Sequence, residues 1–281
     1  MNESVETVTN KDRYGEKDSF DILLVEDNRI NQAVVTRILR KRNHKITIAG
    51  NGIEALKELE SKEFDVVLMD IQMPKMDGIE ATRQIRSPDS MVRNHSVPII
   101  ALTAHAIDQQ KEKCLRVGMN TFLLKPIKAM ELEKTIYEVI MGRENHLESR
   151  PIKTRSKSFD RTQALENVDM DEELYIEFSN IFLQEIGGVM ERLKALTWKK
   201  KEKKLESVAH SLRSSTGSIG AYKLAELAEE IEILSKKGGV MDYITILVKQ
   251  FEVELKKVIE ELEKFNREYS KRVEKTNVFC R

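Results

Sequence analysis

From Asp21 to about Met141 the chain alternates short apolar runs with amphipathic stretches. In order these are DILLV, NQAVVTRILRKR, KITIA, NGIEALKELE, FDVVLM, GIEATRQIR, PIIALT, a helical segment around Lys111, TFLLK and AMELEKTIYEVI. The short runs are rich in β-branched residues, and the stretches between them repeat their apolar positions at helical spacing. Five such repeats predict an α/β domain built on a doubly wound, five-stranded parallel sheet buried on both faces. From about Asp160 the strand-like runs stop. LYIEFSNIFLQEI continuing to KAL, KKLESVAHSLRSST, AYKLAELAEEIEILSK and YITILVKQFEVELKKVIEELEKF keep the helical period alone. Long, charged, weakly aromatic helices of this kind predict an all-α antiparallel four-helix bundle. Between the halves GRENHLESRPIKTRSKS is polar, basic and interrupted by Pro151, and it reads as a linker. The expected organisation is a polar N-terminal segment over 1–19, an α/β domain over 20–142, a linker over 143–159, a bundle over 160–270 and a tail over 271–281.

Composition narrows the function classes. A chain of 281 residues has room for two ordinary domains. Lys+Arg at 47 against Asp+Glu at 47 leaves a formal net charge of +0, so no global field points to nucleic acid or an anionic membrane, although local patches are allowed. No apolar run approaches the roughly 20 residues of a membrane span, and the polar start lacks the apolar centre of a signal peptide. A cytoplasmic protein is expected. Cys114 and Cys280 make neither a disulfide framework nor a metal pair, and both read as reduced thiols.

Candidate chemistry in the first half lies where strands end, since ligands of open parallel sheets bind beyond the carboxyl ends of the strands. Glu26 and Asp27 follow the first strand, Asp70 closes the third, Thr103 the fourth, and Lys125 follows the fifth. A single strand-ending Asp is an ordinary helix cap. Five polar residues converging on one edge are not. Three carboxylates at ~4 Å, with an effective dielectric of ~20, repel by about 4 kcal/mol per pair, so the cluster calls for a cation. With no His or Cys nearby, Mg²⁺ fits this oxygen set best. The inventory suits phosphoryl transfer, with Asp70 as the nucleophile that forms an acyl phosphate.

LLVEDN, VVLMDIQMPKMDG, ALTA and GMNTFLLKP resemble, in order and spacing, the receiver domain of two-component response regulators, over about residues 20–142. The resemblance implies a flavodoxin-like fold with Asp70 as phospho-acceptor. It also implies Mg²⁺ held by Glu26, Asp27, Asp70 and the backbone carbonyl of Gln72. Thr103 would bond the phosphoryl oxygen, Lys125 would pair with the phosphoryl group, and the Lys125–Pro126 bond would be cis. Phe122 stands where the family keeps an aromatic switch.

In the second half one histidine draws notice. Leu205, Val208, Leu212, Thr216 and Ile219 share a stripe at 100° per residue, and His210 projects roughly 160° from its centre. That spacing predicts an exposed imidazole on a low surface beside Gly217 and Ser214, with Arg213 at one flank. The run AHSLRSSTGSIGA is similar to the histidine phosphotransfer domain, whose pattern is close to A-H-x-L-K-G-S-S-x-x-x-G-A. The resemblance implies that His210 carries a phosphoryl group and that Arg213 assists as the family lysine does. Ser214 stands in place of the usual glycine, which implies retuned docking of a partner. HSLRSS also approaches the phosphoacceptor helix of histidine kinases, but the following acid and proline are absent and no glycine-rich phosphate cradle follows.

The resemblances together imply a phosphorelay protein without its own ATP-binding kinase domain, as at the C-terminus of hybrid sensor kinases. Upstream it would meet a histidine kinase or hybrid sensor kinase, downstream a receiver, and no nucleic acid. A rival reading is a phosphorylation-gated binding module whose bundle holds a partner while His210 stays unmodified. A DNA-binding regulator is disfavoured by the lack of a helix-turn-helix with a basic recognition segment. WKKKEKKLE, residues 198–206, reads as a solvated charged face, with steering of an acidic receiver as the second reading.

Overall fold

A computed structural model describes residues 19–104, 108–142, 159–238 and 241–279, side chains of 108–111 and 275–279 excepted. The polar N-terminal segment, nearly all of the expected linker, and Cys280 lie outside the described residues. In chain order the described elements form an α/β unit followed by a helical unit.

The α/β unit runs β1 (Asp21–Val25), α1 (Arg29–Lys41), β2 (Lys45–Ala49), α2 (Gly52–Ser61), β3 (Val66–Asp70), α3 (Gly78–Arg86), β4 (Ile99–Thr103), α4 (Asp108–Arg116), β5 (Thr121–Leu124) and α5 (Ala129–Ile140). The sheet order is β2-β1-β3-β4-β5, and β1 pairs in parallel with β2 and β3, as does β3 with β4. Parallel strands need crossovers, and the helices supply them. Every residue of β3 and β4 is buried, which is why their sequences do not alternate with polar residues. Leu23, Val25, Val67, Met69, Ile99 and Ala101 share one core with Ala55, Leu59, Ile79 and Ile85 from α2 and α3. The strand positions between them, Ile22, Leu24, Val66, Leu68, Ile100 and Leu102, are also fully buried. The sheet order reverses at β1, so the carboxyl ends of β1 and β3 flank the switch point.

His44 is a polar member of the α/β core. It is 4% exposed, stacks on Phe20 at 5.3 Å, and accepts the Phe20 N–H at Nδ1 over 3.2 Å. Burial, and secondarily the charge of Arg42, push its pKa down to about 4. The unfolded chain, with His at its ordinary 6.5, therefore takes up a proton that the folded state refuses. Stability is expected to be intact above pH 6.5 and to fall by up to about 3 kcal/mol toward pH 4. Denaturant melts of wild type and His44→Leu across that window check this. The variant should show a flatter acid limb.

The helical unit holds α6 (Arg161–Asn167), α7 (Glu172–Trp198), α8 (Glu202–Ser218), α9 (Tyr222–Lys236) and α10 (Met241–Phe279). Asp160 and Asp171 cap α6 and α7 through the N–H groups of Gln163 and Leu174. The four long helices close a ring of neighbours, α7 to α8, α8 to α9, α9 to α10 and α10 back to α7. Phe178, Phe182, Leu205, Leu212, Ile231, Phe251 and Leu262 fill the centre at 2% exposure or less. Two features differ from the sequence reading. The short α6 precedes the bundle, and α10 continues to Phe279 through the segment expected as a tail. Its later turns carry charged and polar residues almost throughout, as in NREYSKRVEKT, and helix propensity is supplemented there by hydrogen bonds of Asn266 with Ser179 and Asn180 and by the Arg272–Glu172 ion pair.

Candidate functional site

At the carboxyl edge of the sheet the sequence brings acids together. Glu26 and Asp27 leave β1, and the Glu26 N–H donates to Ala49 O at 3.0 Å, extending the β1 pairing by one residue. Asp70 is the last residue of β3. One carboxylate oxygen from each of Glu26, Asp27 and Asp70 lies within 4.8 Å of the others. Glu26 and Asp70 are 1% exposed, and Asp27 is half-buried. The Gln72 N–H donates to Asp70 Oδ1 at 3.1 Å, which fixes the Asp70 rotamer. Gly78 opens α3 against this site, and a Cβ there would stand 2.2 Å from the Asp70 carbonyl oxygen. Only glycine allows that approach. Thr103 and Lys125, 5% and 6% exposed, end β4 and follow β5 at the same edge, and the Lys125–Pro126 bond is cis. Phe122 packs on the edge of the core. Three oxygen donors with no nitrogen or sulfur among them fit a hard divalent cation such as Mg²⁺.

In the helical unit His210 Nδ1 lies 3.0 Å from Oε1 of Glu232 on α9. The stripe of Leu205, Val208, Leu212 and Thr216 is buried as expected. Helix α8 has neighbours on two sides, α7 and α9, and the carboxylate that α9 brings gives the imidazole a hydrogen-bond partner that its own helix does not.

Arg213, at 15% side-chain exposure, reaches Glu229 Oε1 at 3.0 Å through Nη2 and Glu232 Oε2 at 3.7 Å through Nη1. Glu232 thus lies between the imidazole and the guanidinium. With the proton on Nδ1 the ring donates to the carboxylate, which turns Nε2 into the basic nitrogen.

Comparison with known proteins gives residues 22–137 as a response regulator receiver domain and residues 177–265 as an Hpt domain. The chain carries a receiver followed by an Hpt domain. Sensor histidine kinase GacS of Pseudomonas protegens is 28% identical over 222 residues, 77% of this chain and 24% of that protein. Hybrid signal transduction histidine kinase B of Dictyostelium discoideum is 44% identical over 120 residues, 40% of this chain and 6% of that protein. The chain therefore spans less than a quarter of the length of these two relatives. Among solved structures, the receiver domain of a Pseudomonas aeruginosa sensor histidine kinase, crystallised with magnesium in its cleft, is 41% identical. It covers 44% of this chain and 98% of its own, with a TM-score of 0.40. No described helix is long and apolar enough to cross a membrane.

The receiver residues named from sequence, Glu26, Asp27, Asp70, Gln72, Thr103 and Lys125, all lie at one edge of the sheet. In the Hpt domain, the sequence names His210 and Arg213 as candidates and does not name Glu232, which the structure places against both. A signal for it existed. Glu232 falls one turn after Ala228 and one before Ser235, on the buried stripe of α9 with Leu224 and Ile231, where an acid needs a partner.

Proposed function

We propose that the chain relays a phosphoryl group through Asp70 and His210. An Asp70 carboxylate oxygen forms a bond to phosphorus as the P–N bond of an upstream phosphohistidine breaks. The departing imidazole keeps the bonding electrons and regains a proton from solvent. Glu26, Asp27, Asp70 and the Gln72 carbonyl would hold Mg²⁺, which when bound neutralises charge on the phosphoryl oxygens. Thr103 hydrogen-bonds a phosphoryl oxygen, and Lys125 supplies a fixed positive charge. His210 exchanges the group with a receiver aspartate through Nε2, by the reverse change of bonds, while Glu232 holds Nδ1–H and Arg213 balances Glu232. The observation that carries this reading is the gathering of three carboxylates within 4.8 Å in a chain that also holds an Hpt domain.

The test follows labelled phosphate from a histidine kinase into the intact protein. Acyl phosphate is lost in base and phosphohistidine in acid, so the two sites separate by chemistry and by peptide mapping. Label is expected at Asp70 and at His210. Label at neither refutes the relay. Label at Asp70 alone selects the second reading, a phosphorylation-gated binding module whose bundle holds a partner while His210 stays unmodified.

A further inference from the structure

The turn between α7 and α8 breaks several rules of stable surfaces at once. Trp198, the single tryptophan of the chain, is 88% exposed. Tryptophan is among the most buried residues on average, and a ring so open to water gives up most of its hydrophobic stabilisation. Lys199, Lys200, Lys201, Lys203 and Lys204 follow it, all exposed, with Glu202 the only acid among them. Among the described residues none of these lysines joins an ion pair, whereas Lys194 on the same α7 pairs with both Glu191 and Glu252. Lys200 holds a left-handed backbone at φ 50°, and Lys201 occupies the N-cap of α8 with no side-chain hydrogen bond. Lysines at that end also oppose the positive pole of the helix dipole. Departures from local rules that cluster in one place mark selection for something other than stability.

We infer that this turn is a docking surface for an anionic lipid bilayer. Its composition distinguishes a lipid surface from a protein partner. Protein interfaces are enriched in arginine and depleted in lysine, while this patch has five lysines and no arginine. Lysine is a hydrated point charge on a long stem, suited to mobile headgroups more than to one fixed geometry. Tryptophan prefers the headgroup boundary, where one edge of the indole is dry and its N–H is wet. Each lysine held near an anionic leaflet adds about fivefold to affinity. Five lysines less one acid make the patch effective although the chain as a whole is neutral. Lys203 and Lys204 of α8 precede His210 by seven and six residues, roughly 9–11 Å along the helix.

The sole tryptophan reports its own environment. Intact protein is titrated with vesicles of phosphatidylcholine containing about 30% phosphatidylserine, at about physiological ionic strength, and with pure phosphatidylcholine. A blue shift of Trp198 emission and co-sedimentation are expected with the anionic vesicles alone, both weakening as salt rises. Changing Lys199, Lys200 and Lys201 together to Gln should weaken vesicle binding about 100-fold, with helix content and phosphoryl exchange in solution unchanged. Trp198→Ala should weaken co-sedimentation while retaining its salt dependence. The inference is overturned by absence of the shift and of co-sedimentation with anionic vesicles. It is also overturned if the triple variant binds vesicles as wild type does, or if a receiver domain or single-stranded DNA shifts Trp198 and vesicles do not. None of these outcomes touches the relay assignment, which rests on Asp70 and His210.

Discussion

Asp70→Asn is expected to abolish base-labile phosphoryl labelling of the receiver and, in magnesium-free buffer, to raise its melting temperature. The first effect is chemical. An amide of the same shape has no anionic oxygen to attack phosphorus, and the retained Oδ1 still accepts the Gln72 N–H. The second follows from the cluster. With one oxygen of each acid within 4.8 Å of the others, removing Asp70 deletes two of the three repulsive pairs. Each is worth about 3 kcal/mol at an effective dielectric of about 20 before solvent screening at half-buried Asp27. A net gain of about 1–2 kcal/mol, or a rise of several degrees, should remain. Millimolar Mg²⁺ should narrow or reverse the difference, because an ion that binds the folded wild type stabilises it by mass action. Thermal melts of both proteins with and without Mg²⁺ decide the matter. A variant less stable than wild type without the ion would show that the cluster is already neutralised by the protein.

Glu232→Ala is expected to slow phosphoryl exchange at His210 by roughly 10–100-fold, the scale seen when an outer group that orients a histidine is removed. The carboxylate fixes the proton on Nδ1, so Nε2 keeps its lone pair for phosphorus. Without it the ring samples both tautomers and is no longer held in one orientation. Glu232→Gln keeps an oxygen acceptor at the same place and should recover much of the rate. Because Glu232 also meets Arg213, the alanine variant leaves that guanidinium to Glu229 alone. A merely structural role predicts lost helix content and a changed KM for the partner receiver. A positioning role predicts a lower turnover at unchanged KM, with rescue by glutamine. Stopped-flow or quench-flow transfer with the phosphorylated partner separates the two.

The two domains differ in how much of each could be read from sequence, and particular residues show why. Polar residues at strand ends have little choice of position. Once β1, β3, β4 and β5 are recognised as buried strands, Glu26, Asp27, Asp70, Thr103 and Lys125 must emerge at the same sheet edge. The pleat fixes their faces and the parallel order fixes their end. Nothing comparable constrains a helix surface. His210 lies among Ser211, Arg213, Ser214 and Ser215, and by polarity that arc belongs in water. What α8 by itself does not carry is the carboxylate that α9 brings to His210, Glu232, a partner 22 residues away in sequence. Glu232 itself was legible only as an acid on an apolar stripe, a pattern that announces a buried partner without naming it.

Sequence by itself thus determined two domains, the parallel sheet, the helical second half and the acidic edge that holds Asp70, because hydrophobic period and strand ends are local properties of the chain. Tertiary structure alone decided that Glu232 reaches His210, that Arg213 meets Glu229 and Glu232, and that Trp198 stands open to solvent beside five exposed lysines. Each of those depends on what neighbouring helices bring together, a property of the packed whole that no single helix carries.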